Sequence, residues 1–248
     1  MGLDHIVNLS CKPKLFFGGG DFVRGTRNIL SRIKAKNQAE LLATVSGKKG
    51  DDLDEMMVSV ASADGHEREA SYAELMTEAA PLSTQAGPCA KCPANVVGRP
   101  YGCFGAAAYP IEADSESWLI ARVAGAGEDA NELMFSAIDE LEYTGGPIAE
   151  FRGDGIFQNP EALSIDLGGR TVTSDQILHA ILAAGAELEA HHCFMLLVWV
   201  GAVELSDARA DTVDLGETPE ALGALEFFAL FSAMAAAVAC DVSLIIDA

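Results

Sequence analysis

The chain has 248 residues, half of them apolar, and a mean hydropathy of +0.20, which suffices to bury a full hydrophobic core and excludes a largely disordered polypeptide. Six cysteines at this length are too few for a disulfide scaffold. The formal net charge of -21 is unevenly carried, with 12 Lys+Arg against 12 Asp+Glu in residues 1–100 and 4 against 25 in residues 101–248.

In chain order, Ile6-Val-Asn-Leu-Ser alternates weakly and reads as a strand. Gly18-Gly-Gly leads into a helix with Phe22, Ile29, Leu30 and Ile33 at helical spacing, and Asn37 caps a second, short helix from Gln38 to Val45. Ser46 to Asp52 is a polar loop, Met56 to Ala61 a strand, and Asp64-Gly65 a turn. Ser71-Tyr-Ala-Glu74 is a capping box that starts a helix to about Ala80. A cysteine segment runs from Pro88 to Pro110 and ends as a strand from Cys103. Ser117–Val123 and Asn131–Leu141 are helical, and Gly145-Gly-Pro147 is a stop. Residues 144–170, rich in Gly and Pro, predict an irregular region or a short hairpin.

Thr173-Ser-Asp-Gln176 is a second capping box, opening a helix with Ile177, Leu178, Ile181, Leu182 and Leu188 inward. An apolar helix follows from about Cys193, then an acidic loop from Glu204 to Glu217. Thr218-Pro219 starts a last long helix to about Ala239, and Val242–Ile246 is a closing strand. Strands concentrate in the first half and helices in the second. The expected class is therefore α+β, with a cysteine-stapled loop between the two halves. We expect a single domain over residues 1–248, with residues 1–110 and 111–248 as its possible lobes.

The apolar runs Phe194–Val203 and Ala224–Cys240 read as buried helices, the first being too short to span a bilayer and the second interrupted by Glu226. The N-terminal residues carry Asp4 and no long apolar stretch, and Ile6 stands where a myristoylation signal needs Ser or Thr. A cytoplasmic, thiol-reduced protein without a membrane partner follows. The acidic C-terminal half argues against nucleic acid, which requires Lys and Arg against phosphate. Its carboxylates serve plain solubility, adaptation to a salty cytoplasm, or the docking of a basic protein partner.

Site chemistry concentrates at Cys89, Cys92 and Cys103, in the pattern C-x2-C-x10-C with Gly or Pro beside each thiol. Two thiolates from such a turn reach one ion, which points to structural zinc. The fourth ligand is not local; Cys11, Cys240, His5, His66, His191, His192 and Cys193 are all available, with His192 and Cys193 carried as the lead candidates. An iron–sulfur cluster is the minority alternative, since the spacing fits neither common ferredoxin pattern. A C-x2-C redox pair is disfavoured by Pro93 after Cys92 and the lack of a following helical pattern.

Glu189 and His192 have the spacing of one half of a di-iron motif, but no second E-x-x-H exists, and His191-His192 reads better as a helix C-terminus. The Gly18–Gly20 loop matches no phosphate-binding pattern and carries Asp21 where an anion would approach. With no catalytic signature present, the sequence favours a non-enzymatic binding or assembly protein. On this reading zinc clamps the loop and the acidic half docks a basic partner. A metal-dependent hydrolase or a small redox protein built on the same cysteines is the competing class.

Overall fold

The computed structural model describes residues 3–61, 67–96, 98–107, 110–140, 146–183, 187–204, 215 and 224–247. The Asp64-Gly65 turn, most of the Glu204–Glu217 loop and the Thr218-Pro219 helix start lie outside them. Among the described residues helix outweighs strand and the sheets are small and antiparallel, so the fold is mixed α and β.

The elements in order are β1 (Leu3–Val7), α1 (Lys12–Phe17), α2 (Phe22–Ser46), α3 (Asp51–Asp54), β2 (Met57–Ala61), β3 (Glu67–Ser71) and α4 (Tyr72–Gln85). A 3-10 turn, Gly87–Lys91, precedes β4 (Phe104–Ala107), α5 (Ala113–Ala124), α6 (Glu128–Glu140) and α7 (Gly146–Gly153). The hairpin β5 (Ser164–Leu167) and β6 (Arg170–Thr173), then α8 (Ser174–Ala183), β7 (Glu187–Leu188), α9 (Ala190–Trp199), α10 (Ala224–Cys240) and β8 (Leu244–Asp247) complete the chain. They group into two compact units. Unit 1 comprises residues 1–9, 93–98 and 102–248, and unit 2, inserted into it, comprises residues 10–92 and 99–101.

Unit 1 is organised by a four-stranded antiparallel sheet of order β4-β1-β8-β7. The first and last strands are thus its two central ones, with Ile6 facing Ile245 and Val7 facing Leu244 in register. Val7 and Leu244 are fully buried beneath α10, whose Phe231, Ala233, Met234 and Ala237 are equally inaccessible. The small alanines let α10 approach closely, and helix α9 packs beside it with Leu197 and Cys193 inward. Trp118 of α5 stacks on Phe231, 5.6 Å between ring centres.

The segment expected to be one helix through Leu188 instead breaks after Ala183 and re-forms as β7. Leu188 pairs with Leu244, and the Ser243 hydroxyl donates to Glu187 Oε1 at 2.6 Å, so sheet pairing outcompetes local helix propensity there. The Gly- and Pro-rich stretch holds both α7 and the β5–β6 hairpin. The Thr173–Gln176 capping box is present with both reciprocal bonds.

His5 on β1 is 3% exposed and pairs in register with Gly105 and Ile246. Its imidazole lies where a side chain at position 105 would stand, so glycine is the residue that admits it. Burial pulls the His5 pKa down from 6.5 to about 4. Between those values the unfolded chain binds the proton and the folded chain does not, so stability rises with pH. The contribution is complete above pH 6.5 and is lost towards pH 4, by roughly 3 kcal/mol in all. Wild-type urea unfolding, followed by tryptophan fluorescence, should lose about 2 kcal/mol between about pH 7 and about pH 5. His5→Gln should flatten that slope. Parallel slopes in the two proteins would show that His5 has the same pKa folded and unfolded.

Unit 2 is built on the long helix α2. Asp21 caps it, accepting from the Arg24 N–H at 3.0 Å, and its inward face (Gly25, Ile29, Ala35, Ala39) meets α1 and α4. The helix runs unbroken through Asn37, where a new start was expected, because residues 34–42 contain no Gly or Pro and Asn37 simply faces solvent. Helix α4 begins at the expected capping box, with both Ser71–Glu74 bonds formed. It continues past Pro81 to Gln85, and its Leu75, Ala79 and Leu82 are buried. Val60 and Ala70 of the β2–β3 hairpin complete this small core.

Candidate functional site

The cysteines come first, since they were the expected centre. Cys89 is buried on the 3-10 turn and Cys92, half-buried, follows it, both in unit 2, whereas Cys103 belongs to unit 1. The Cys89 thiol is pushed up by burial; the Tyr101 N–H, and more weakly the Lys14 ammonium, offset this, while nearby Cys11 and Cys92 add to it. Lys14 is itself 1% exposed and lies over the Phe22 ring at 5.0 Å. This corner keeps a protonated thiol at Cys89 rather than a reactive thiolate.

His192 and Cys193 sit on α9. His191 and His192 occupy its first turn, behind the N-cap Glu189, rather than the helix C-terminus expected for them. Their rings lie 3.9 Å apart, and His192 Nδ1 is buried with no hydrogen-bond partner among the described residues. Cys193 is fully buried, its thiol donating to the Leu188 carbonyl at 3.8 Å, and burial pushes its pKa up to about 12. A metal ligand must be a thiolate; this one is held as a thiol.

The expectation of zinc, and with it the iron–sulfur alternative, is therefore corrected. Among the described residues no group of three or more His, Cys, Asp or Glu side chains is placed to hold a metal ion. Close spacing along the chain brings Cys89 and Cys92 onto one turn, but Cys103, His192 and Cys193 are parts of unit 1 with packing roles of their own. None of the six cysteines is in a disulfide.

The arrangement that sequence reading missed is ionic. In unit 1, Glu116 of α5 is completely buried and faces Arg152 of α7. The guanidinium donates to Glu116 Oε1 at 2.5 Å and Oε2 at 3.2 Å, to Asp175 Oδ1 at 2.5 and 2.7 Å, to the Ser174 hydroxyl at 3.1 Å and to the Asn159 carbonyl at 3.1 Å. Asn159 Nδ2 and the Ser174 hydroxyl return bonds to Glu116 at 2.9 and 2.8 Å. The Phe157 ring covers the guanidinium at 4.4 Å. Burial alone would lower the Arg152 pKa, but the bonds to the two carboxylates more than offset it and fix the cation. Every donor of the fork is used, so this knot pins α5, α7 and α8 and offers nothing to a substrate. A signal existed: Glu116 lies on the same stripe as Leu119 and Val123, and an acid on an apolar face requires a cation.

The knot has an electrostatic consequence. Unit 1 holds 4 Lys+Arg against 26 Asp+Glu. Arg152 is consumed internally, Arg170 forks onto Asp139 at 2.6 and 2.9 Å, and Arg122 stacks on Trp118 at 5.8 Å. Outside remain carboxylates. On α6, Ala130, Met134 and Ile138 face inward while Glu128, Asp129, Glu132 and Glu140 are exposed, with no Lys or Arg anywhere on the helix. Glu150 and Asp154, at α7 and just after it, are exposed as well. Such a surface attracts cations and repels phosphate.

No helix among the described residues is long and apolar enough to cross a membrane. Compared with protein-family models, curated proteins and solved structures, the chain matches none.

Proposed function

We propose that the chain is a non-enzymatic binding or assembly protein of the cytoplasm whose acidic unit docks a basic protein partner. One observation carries this reading: the described arginines of unit 1 are committed to internal contacts, while the outward carboxylates of α6 have no basic residue on their own helix. Carboxylates so arranged steer a basic partner into contact and take the place that phosphate would occupy on it. The protonated, buried thiols of Cys89 and Cys193 support a structural role for the cysteines over a catalytic one.

The test is capture by the full chain at about 0.05 M and about 0.5 M salt, beside a variant carrying Glu128→Gln, Asp129→Asn, Glu132→Gln and Glu140→Gln. Basic proteins should be retained at low salt, released at high salt, and lost with the variant. If wild type and variant retain the same proteins with the same salt tolerance, the acidic unit is not the docking surface.

A further inference from the structure

The one strongly basic part of the molecule is the helical pair α1–α2. Residues 12–46 carry seven Lys+Arg, of which Lys14 is buried, against Asp21 and Glu40. The same pair carries most of the large apolar side chains that the fold leaves exposed: Phe16 at 58%, Val23 at 58%, Leu41 at 63% and Val45 at 77%, with Leu15 beside them. On α2 this is a pattern rather than scatter. Val23, Arg27, Lys34, Leu41 and Val45 stand at i, i+4, i+11, i+18 and i+22 and are all exposed. At about 100° per residue these positions fall within roughly 40° of one another, a strip about 33 Å long. Gly25, Ile29, Ala35 and Ala39, the buried face, lie on the other side. A helix with its core face already filled normally turns a wholly polar surface to water; α2 has a second, mixed stripe.

The charge of the stripe selects its occupant. Two copies of net charge -21 repel each other at long range, as the chain and an anionic bilayer do, so the attraction has to be local, within a Debye length of the contact. Two such stripes facing each other would bring Arg27 and Lys34 against like charge. The surface of opposite sign that the protein itself provides is on unit 1, which holds 26 Asp+Glu against 4 Lys+Arg and exposes Glu128, Asp129, Glu132 and Glu140 along α6. We propose that the outer stripe of α2, with the tip of α1, docks the acidic unit of a second copy of this chain. The basic side chains set orientation and on-rate, while Phe16, Val23, Leu41 and Val45 supply the apolar contact. Each copy then has one face of each kind, so the contact closes as a reciprocal pair or grows head-to-tail as a ring or an open filament. This rests on the reading of the acidic unit as a docking surface and names its basic partner.

Sedimentation velocity of the full chain tests it. The protein should associate at about 0.05 M salt and do so about tenfold more weakly at about 0.5 M. Arg24→Gln with Arg27→Gln should weaken association at low salt, and Leu41→Glu with Val45→Glu should abolish it, each with an unchanged thermal melt. A chain that stays monomeric at both salts overturns the inference. So does tighter association of the glutamine variant, which would indicate pairing of like stripes, and so does binding to phosphatidylserine vesicles that is lost with Leu41→Glu and Val45→Glu. If self-association fails while salt-sensitive capture of basic proteins persists, this inference alone falls; if both fail, the reading of the acidic unit falls with it.

Discussion

Arg152→Met should destabilise unit 1 by about 3–5 kcal/mol, the largest effect expected of any single substitution in that unit. The cost comes less from the lost bonds than from what is left behind. Glu116 is 0% exposed and is left buried without its cation or water to receive it, while Asp175 loses the fork that held its Oδ1. Methionine fills much of the aliphatic volume under Phe157, so cavity formation contributes little. Adding Glu116→Leu and Asp175→Leu to Arg152→Met should recover most of the loss, because an apolar trio of similar volume has no buried charge to solvate. Both tryptophans, Trp118 and Trp199, belong to unit 1, so urea unfolding by tryptophan fluorescence reads this unit directly. An Arg152→Met midpoint equal to wild type would mean that Glu116 has another partner or access to water.

In unit 2 the largest expected effect is at Gly25. A methyl group there would overlap the Lys14 carbonyl of α1 and press on the Gly18 amide. These are backbone atoms that no rotamer change can move, so α1 must lift away from α2. That exposes Pro13 and Lys14, both buried, and breaks the seat of Lys14 over Phe22. Overpacking of this kind costs roughly 1–3 kcal/mol where side chains can adjust, and we expect the upper end or beyond for a backbone clash. Amide exchange of residues 12–17 should accelerate in Gly25→Ala and stay unchanged in Arg24→Ala, an exposed position one residue away. Unchanged exchange in both would show that the two helices separate without cost.

Local chemistry was legible in the sequence and long-range pairing was not. The capping boxes at Ser71 and Thr173 mark true helix starts because both bonds of each lie within four residues. Asn37 misled for a related reason: an Asn suits an N-cap, yet nothing around it interrupts α2. The break before β7 depends on Leu244 and Ser243, more than fifty residues away, which no local window contains. The cysteines show the same limit. C-x2-C fixes Cys89 and Cys92 on one turn, but the spacing to Cys103 says nothing of the unit it joins. The Arg152 knot was half legible: Glu116 on its apolar stripe demands a cation, while the choice among four arginines in that unit is made by tertiary structure alone.

The pairing of β1 with β8 bears on how the molecule is made. During synthesis residues 3–7 leave the ribosome long before their central partner, residues 244–247. The nascent chain can complete the inserted unit early, since residues 10–101 contain all of it. Strand β1 can then pair with β4, but its other hydrogen-bonding edge stays open until residues 244–247 are made. Such a polypeptide gains from a holding chaperone in proportion to that delay.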